Sequence, residues 1–268
     1  MNILKTRVQE VVDVFSQDRA AFMPYFTLGY PDMETSLDVI EACSCNGADI
    51  IELGVPFSDP LADGPTIQHS TQIALQNGVS VAKCLDGVRN LRLRGLTIPL
   101  LLMGYYNPIL AYGLEKFVQD SFSEGVHGFI IPDLPPDEAE VLASYCQQSG
   151  MALPFLLSPN SSEERITLVT GKSTGFVYLV SVTGITGSRQ SLPDNLRDFI
   201  GKVKSMTDKP VAVGFGISTP EQAYSVGEMA DGVIVGSALI KAAKNGAAFS
   251  SAAGAFTKQM TDALQSTP

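Results

Sequence analysis

Apolar residues along the chain gather in eight short, β-rich runs. They are Phe22–Leu28, Ala48–Leu53, Ile98–Met103, Gly128–Ile131, Ala152–Leu157, Gly175–Ser181, Val211–Gly214 and Gly232–Gly236. Most of the gaps hold helical spacing, as over Met33–Asn46, Val81–Arg94, Leu114–Ser123, Pro136–Ser149, Glu163–Val169, Leu196–Ser205 and Glu221–Gly227. Gly47, Gly95, Gly125 and Gly150 follow such stretches, where a helix is expected to stop. Ahead of the first run, Val8, Val11, Val12 and Phe15 predict an extra N-terminal helix over Ile3–Phe15. Strand–helix alternation repeated eight times predicts parallel strands with right-handed crossovers. Eight units in about 250 residues is the count of a closed (β/α)₈, or TIM, barrel. A doubly wound open sheet is the competing architecture, but no G-x-G-x-x-G follows the first run. Without a composition break or long linker, residues 1–268 are expected to form one barrel domain.

A barrel carries its chemistry at the carboxyl ends of the strands and in the loops beyond them. The second run ends in Glu52, an acid that is costly to bury unless it is used. Strand alternation puts Ile50 and Glu52 on one face and Ile51 and Leu53 on the other. The following loop, stiffened by Pro56, Pro60 and Pro65, carries Asp59 and Asp63. Glu52 in an apolar interior should have a raised pKa and serve as an acid/base, unless it is paired with a lysine or arginine. Asp63, among polar and backbone groups, should stay ionised as an acceptor; Asp59 and Asp63 could also be turn residues. Tyr178 shares a strand face with Phe176 and Val180. It points inward beside Glu52 or packs as a buried tyrosine with a satisfied hydroxyl.

Gly214 and Gly216 follow the seventh run, and Ser218-Thr219-Pro220-Glu221 has capping-box spacing with a first-turn proline. After the eighth run, Gly236-Ser237 opens another helix. Two glycine-bearing strand-to-helix junctions in the last two units form a phosphate-binding device in many barrels. The loop Thr183–Pro193, TGITGSRQSLP, reads as a lid that could close over the same phosphate. The segment Gly104–Gly113, GYYNPILAYG, reads as a loop whose aromatic residues are either local core or a partner surface.

Composition narrows the functional classes. Eighteen Lys+Arg against 28 Asp+Glu give a formal charge of −10, which argues against nucleic acid or an anionic membrane as partner. The same charge gives no long-range steering of an anionic substrate, so a phosphate must be held locally. Cys43, Cys45, Cys84 and Cys146 lack zinc-ligand spacing and read as buried small hydrophobes in a reducing cytosol. His69 and His127 stand alone and read as structural. With no signal sequence and no run long enough to span a membrane, a cytoplasmic protein is expected. Metal ligands, a Ser/His/Asp set and a nucleotide loop are all missing, which leaves carboxylate acid/base chemistry on a phosphorylated substrate.

The stretch ELGVPFSDPLADGPTIQ (Glu52–Gln68), the TGITG loop, GFGIST, the opening FMPYFTLGYPD and the order of all eight units closely resemble the tryptophan synthase α subunit family. The resemblance implies a (β/α)₈ barrel that cleaves indole-3-glycerol phosphate to indole and glyceraldehyde 3-phosphate, with no metal or cofactor in this chain. It implies that Glu52 moves protons between the glycerol hydroxyl and indole C3. Asp63 would accept the indole N–H, with Tyr178 close to the glutamate. It places phosphate contacts at Gly187, Gly216, Gly236 and Ser237, and a lid threonine at Thr186. Tyr25, Met103, Ile130 and Pro132 fall where the family lines its indole pocket. A pyridoxal-phosphate-dependent β subunit is the implied partner, in an α₂β₂ assembly, with Asp59, Pro60, Tyr105 and Asn107 on the contact surface. A stand-alone indole-3-glycerol phosphate lyase is the alternative enzyme, and a non-catalytic activating subunit the alternative class.

Overall fold

All eight apolar runs become parallel strands, because each is followed by a helix that carries the chain back along the sheet. The computed structural model describes residues 5–180, 195–214, 216–246 and 248–265. Its strands are β1 (Ala21–Thr27), β2 (Ile51–Gly54), β3 (Leu100–Met103), β4 (Gly128–Ile130), β5 (Leu156–Leu157), β6 (Val177–Val180), β7 (Val211–Gly214) and β8 (Gly232–Val235). The helices of the first half are α1 (Arg7–Val14), α2 (Met33–Cys45), α3 (Pro65–Gln76), α4 (Val81–Leu93), α5 (Tyr106–Tyr112) and α6 (Leu114–Glu124). Those of the second are α7 (Glu140–Ser149), α8 (Glu163–Lys172), α9 (Leu196–Lys204), α10 (Pro220–Gly227), α11 (Ser237–Asn245) and α12 (Phe249–Gln265).

Strand order is β4-β3-β2-β1-β8-β7-β6-β5. A parallel bridge between Gly128 and Ala152 joins its two ends. There Phe129 N–H donates to the Ala152 carbonyl at 2.9 Å and Ala152 N–H to that of His127 at 2.8 Å. The sheet thereby closes into a (β/α)₈ barrel, with α1 as the additional N-terminal helix. The fifth run, expected to be continuous over Ala152–Leu157, is broken by Pro154, which has no N–H to give to a ladder. The flanking N–H groups of Leu153 and Phe155 donate instead to the Thr174 and Ser173 hydroxyls at 2.8 and 3.0 Å. Only Leu156–Leu157 pairs with β6.

Three helices lie where the pattern named none. Helix α3 starts with Pro65 at a first-turn position that needs no N–H. Segment Gly104–Gly113, expected to be a loop, contains α5, whose first N–H, that of Tyr106, is taken by the Asp133 carboxylate at 2.9 Å. Helix α12 buries Ala253, Thr257, Met260 and Leu264 at helical spacing, but small and polar residues mute its hydrophobic contrast. Cys45 also departs from expectation, being exposed while Cys43, Cys84 and Cys146 are buried.

At the amino-terminal end of the barrel, α1 acts as a plug. Val11 is fully buried, Phe15 packs at 5.6 Å from the Phe176 ring, and Val8 N–H donates to the Gly150 carbonyl. Beside it Arg92 uses every donor of its guanidinium. Nε and Nη2 go to the Gly125 carbonyl, Nη1 to those of Leu96 and Ile98, and Nη2 also to His127 Nδ1. With Nδ1 also facing the Leu100 N–H, the proton of His127 sits on Nε2, which lies 3.0 Å from Glu10. Burial, helped by Arg92 and Arg7, pushes the imidazole pKa down to about 3, so His127 is a neutral structural residue. Replacing Arg92 with Met should strand several buried carbonyls and lower stability by roughly 3 kcal/mol, read from urea unfolding midpoints. An unchanged midpoint would show that the clamp carries no load.

Candidate functional site

A cavity of about 310 Å³ opens at the carboxyl end of the barrel, its walls including Tyr25, Glu52, Met103, Tyr178, Gly216, Gly236 and Ser237. Glu52, third from the end of β2 and paired in register with Tyr25 on β1 and Leu101 on β3, is fully buried. Neither carboxylate oxygen has a hydrogen-bond partner among the described residues. That excludes, among those residues, the lysine- or arginine-paired structural acid. Burial alone drives the Glu52 pKa well above the ordinary carboxylate value, so the proton is held on the acid.

Two tyrosines crowd this floor, and glycines make room for them. A β-carbon at Gly54 would stand 2.1 Å from the Tyr25 hydroxyl oxygen, and one at Gly214 would stand 2.3 Å from that of Tyr178. The Tyr25 hydroxyl meets Thr27 Oγ1 at 3.4 Å, and Thr27 meets Ser70 of α3 at 2.7 Å. Both tyrosine pKa values are pushed up, first by burial and then by the carboxyl groups of Glu52 and Asp63. The two acids therefore act on the same pair of hydroxyls.

Asp63 lies in the loop between β2 and α3, and the expectation of polar surroundings fails here. The residue is only 7% exposed, and burial lifts its pKa to about 6, opposed by a hydrogen bond from Tyr105. Of the two readings open for the aromatic residues of Gly104–Gly113, local core and partner surface, Tyr105 fits local core. It is 5% exposed, packs at 5.5 Å from the Phe57 ring and accepts the Ala62 N–H at 2.9 Å. Because that backbone group can only donate, the Tyr105 proton is left for Asp63. Around it, Asp59 and Asn107 are exposed and Pro60 is half-buried. Leu61 is 88% and Leu110 50% exposed, two apolar residues at this rim that the sequence pattern did not single out.

Another part of the cavity wall presents backbone N–H groups. Gly236 is the N-cap of α11 and offers no side-chain cap, so the first N–H groups of that helix stay available beside Ser237 and Ala238. Gly216 adopts a positive φ of 85°. The neighbouring helix is capped one residue later than its spacing suggested: Thr219 accepts the Gln222 N–H, and Gln222 Oε1 accepts the Ser218 N–H. Met103 lines the cavity, whereas Ile130 is buried and Pro132 half-buried outside its walls. Lys241, Ile67, Ile234 and Phe256 also line it, brought there by helices and strand faces whose orientation no local motif encodes. Thr186, Gly187 and the lid Thr183–Pro193 lie outside the described residues. Among the described residues no cluster of three or more His, Cys, Asp or Glu is placed to hold a metal, and no helix is long and apolar enough to cross a membrane.

Against known proteins, residues 12–265 match the family model described as "Tryptophan synthase alpha chain". The chain is 50% identical over 234 residues to the tryptophan synthase alpha chain of Dehalococcoides mccartyi, covering 87% of this chain and 91% of that one. Its fold superposes on a chain of Mycobacterium tuberculosis tryptophan synthase with a TM-score of 0.89 at 38% identity, over 97% and 98% of the two chains. The tryptophan synthase alpha chain of Legionella pneumophila gives 0.88 at 34% identity, again over 97% and 98%.

Two outcomes follow from this geometry. With its folded pKa above the unfolded one, Glu52 makes the native state bind more protons, so its effect on stability worsens as pH rises above the unfolded value. Glu52→Gln should thus be more stable than the parent at about pH 8, with the gain shrinking toward about pH 4, in urea melts at both. A parent that is the more stable at the higher pH would contradict the buried, unpaired acid. Tyr105→Phe keeps the ring but removes the donor, so the Asp63 pKa should climb above about 6 in a carbon-13 carboxyl titration. An unmoved titration would mean that the hydroxyl does not hold Asp63.

Proposed function

The chain belongs to the tryptophan synthase alpha chain family, and from that premise we propose how its cavity performs the family's reaction. The protein is a carbon–carbon lyase that cleaves indole-3-glycerol phosphate to indole and glyceraldehyde 3-phosphate and acts with a β subunit in tryptophan synthesis. The observation that carries the assignment of roles is the unpartnered, fully buried Glu52 carboxyl at the floor of the cavity.

Glu52, protonated in the empty site, gives its proton to indole C3, while Asp63 takes the proton leaving the indole nitrogen. The ring is then an electron-poor 3H-indole. Glu52, now a carboxylate, removes the proton of the hydroxyl on the carbon attached to C3. That carbon becomes the aldehyde of glyceraldehyde 3-phosphate, and the C3–carbon bond breaks. Its electron pair returns to the ring, and the nitrogen recovers a proton from Asp63. Each acid ends as it began, which is what a buried neutral acid beside a largely ionised one permits. Tyr178 and Tyr25 border the reacting centre, with Met103 on the indole wall. The N–H groups at Gly236 and Ser237, with Gly216, are assigned to the phosphate; the family resemblance adds Gly187 to the phosphate contacts and Thr186 as the lid threonine, both outside the described residues.

The rim formed by Asp59, Pro60, Leu61, Asn107 and Leu110 is assigned to the β subunit in an α₂β₂ assembly. Two exposed leucines among polar residues suit a partner contact. Pyridoxal phosphate belongs to that partner's reaction. The free cysteines fit a cytoplasmic setting.

Glu52→Gln and Asp63→Asn should each lower indole release by at least ~10²-fold, the scale of a lost general acid/base, measured with and without a β subunit. Near-normal cleavage by either variant would overturn its role. In the parent, kcat/KM should fall as the pH drops through about 6, where Asp63 becomes protonated.

A further inference from the structure

A chain with a formal charge of −10 repels a dianionic substrate at long range, and the cavity's own side chains show one answer to that. Among the described residues that line the cavity, Lys241 alone carries a positive charge. It sits on α11 four residues after Ser237, one helical turn on and on the same face. Its side chain is exposed, and none of the ion pairs among the described residues involves it. The N–H groups at the start of the same helix supply partial positive charge at fixed positions, but they cannot reach into solvent. A four-carbon stem ending in an ammonium can.

We propose that Lys241 is a capture residue for the substrate's phosphate, drawing the dianion to the start of α11 and holding it there from the solvent side, without touching the reacting atoms. The proposal rests on the phosphate end of the cavity lying at Gly216, Gly236 and Ser237. It explains how a strongly acidic protein gathers an acidic substrate without a basic cluster. One mobile cation at the mouth is enough when helix N–H groups complete the site.

The test compares the parent, Lys241→Gln and Lys241→Arg, each with its β subunit, on indole-3-glycerol phosphate and on the dephosphorylated alcohol, at low and high ionic strength. One exposed charge against a dianion should be worth ~3- to 10-fold in KM. Lys241→Gln should therefore raise KM by that factor for the phosphorylated substrate alone, keep kcat within about two-fold, and flatten the salt dependence of kcat/KM. Lys241→Arg should restore both. An unchanged KM, or an equal rise for both substrates, would overturn the capture role and leave the phosphate site standing. A parent that does not distinguish the phosphorylated substrate from the alcohol would instead remove the phosphate site, and the capture role with it.

Discussion

The structure turns on one unfavourable placement, a carboxyl group enclosed at the floor of a barrel with no hydrogen-bond partner among the described residues. Moving an ionised carboxylate into such a place costs several kcal/mol even after relaxation, so the group keeps its proton. Among the described residues, no hydrogen bond relieves this cost at Glu52. Its strand neighbours in register are Tyr25 and Leu101, neither of which carries a positive charge. A lysine or arginine within reach would stabilise the fold and leave an ionised carboxylate with no proton to give. Stability and chemistry are opposed at this position.

The tyrosines on either side show how closely the backbone is fitted to that floor. Tyr25 occupies the volume over Gly54, and Tyr178 the volume over Gly214. Those glycines end β2 and β7, on opposite sides of β1 and β8 in the strand order. Any larger residue at either position would displace a ring that borders the acid. The loop acid is held differently, by a tyrosine hydroxyl that accepts from the Ala62 backbone and donates to Asp63. One side chain thus sets both the path of the loop and the charge of its acid. The contrast in pKa follows: Glu52 is fully enclosed, whereas Asp63 keeps one donor and settles at about 6.

What could be read in the sequence was whatever repeats or alternates. Eight apolar runs and the gaps between them fixed the barrel, and strand parity put Glu52 inside. The misreadings have local physical causes. Pro154 broke the ladder of a run that looked continuous, and hydroxyls of Ser173 and Thr174, distant in sequence, took the orphaned N–H groups. Helix α12 is written in small residues whose contrast is weak, although its buried positions recur at helical spacing. Tyr105 could be read as either local core or partner surface because its partners, Phe57, Ala62 and Asp63, are about forty residues away in the chain and adjacent only once β2 and β3 pair. Burial of Asp63 was invisible for the same reason. A proline-rich loop reads as solvated until the next loop folds over it.

The net charge and the proposed phosphate site pull in opposite directions, and the fold reconciles them by scale. Over distances longer than about 8–10 Å, salt screens the protein's acidic surface, so a phosphate inside the site responds chiefly to the groups next to it. Within the site, an uncapped helix start places N–H groups where no side chain competes for them. A basic cluster there would bind phosphate more strongly, but it would also lie in the same small cavity as Glu52. Cations facing that acid would favour its ionised form and lower the pKa that burial had raised. In the proposed phosphate site, backbone dipoles carry only partial charge and so disturb the Glu52 pKa less than a cluster of full charges would. Backbone N–H groups, joined by one exposed lysine rather than a basic cluster, therefore suit a cavity in which Glu52 keeps its proton.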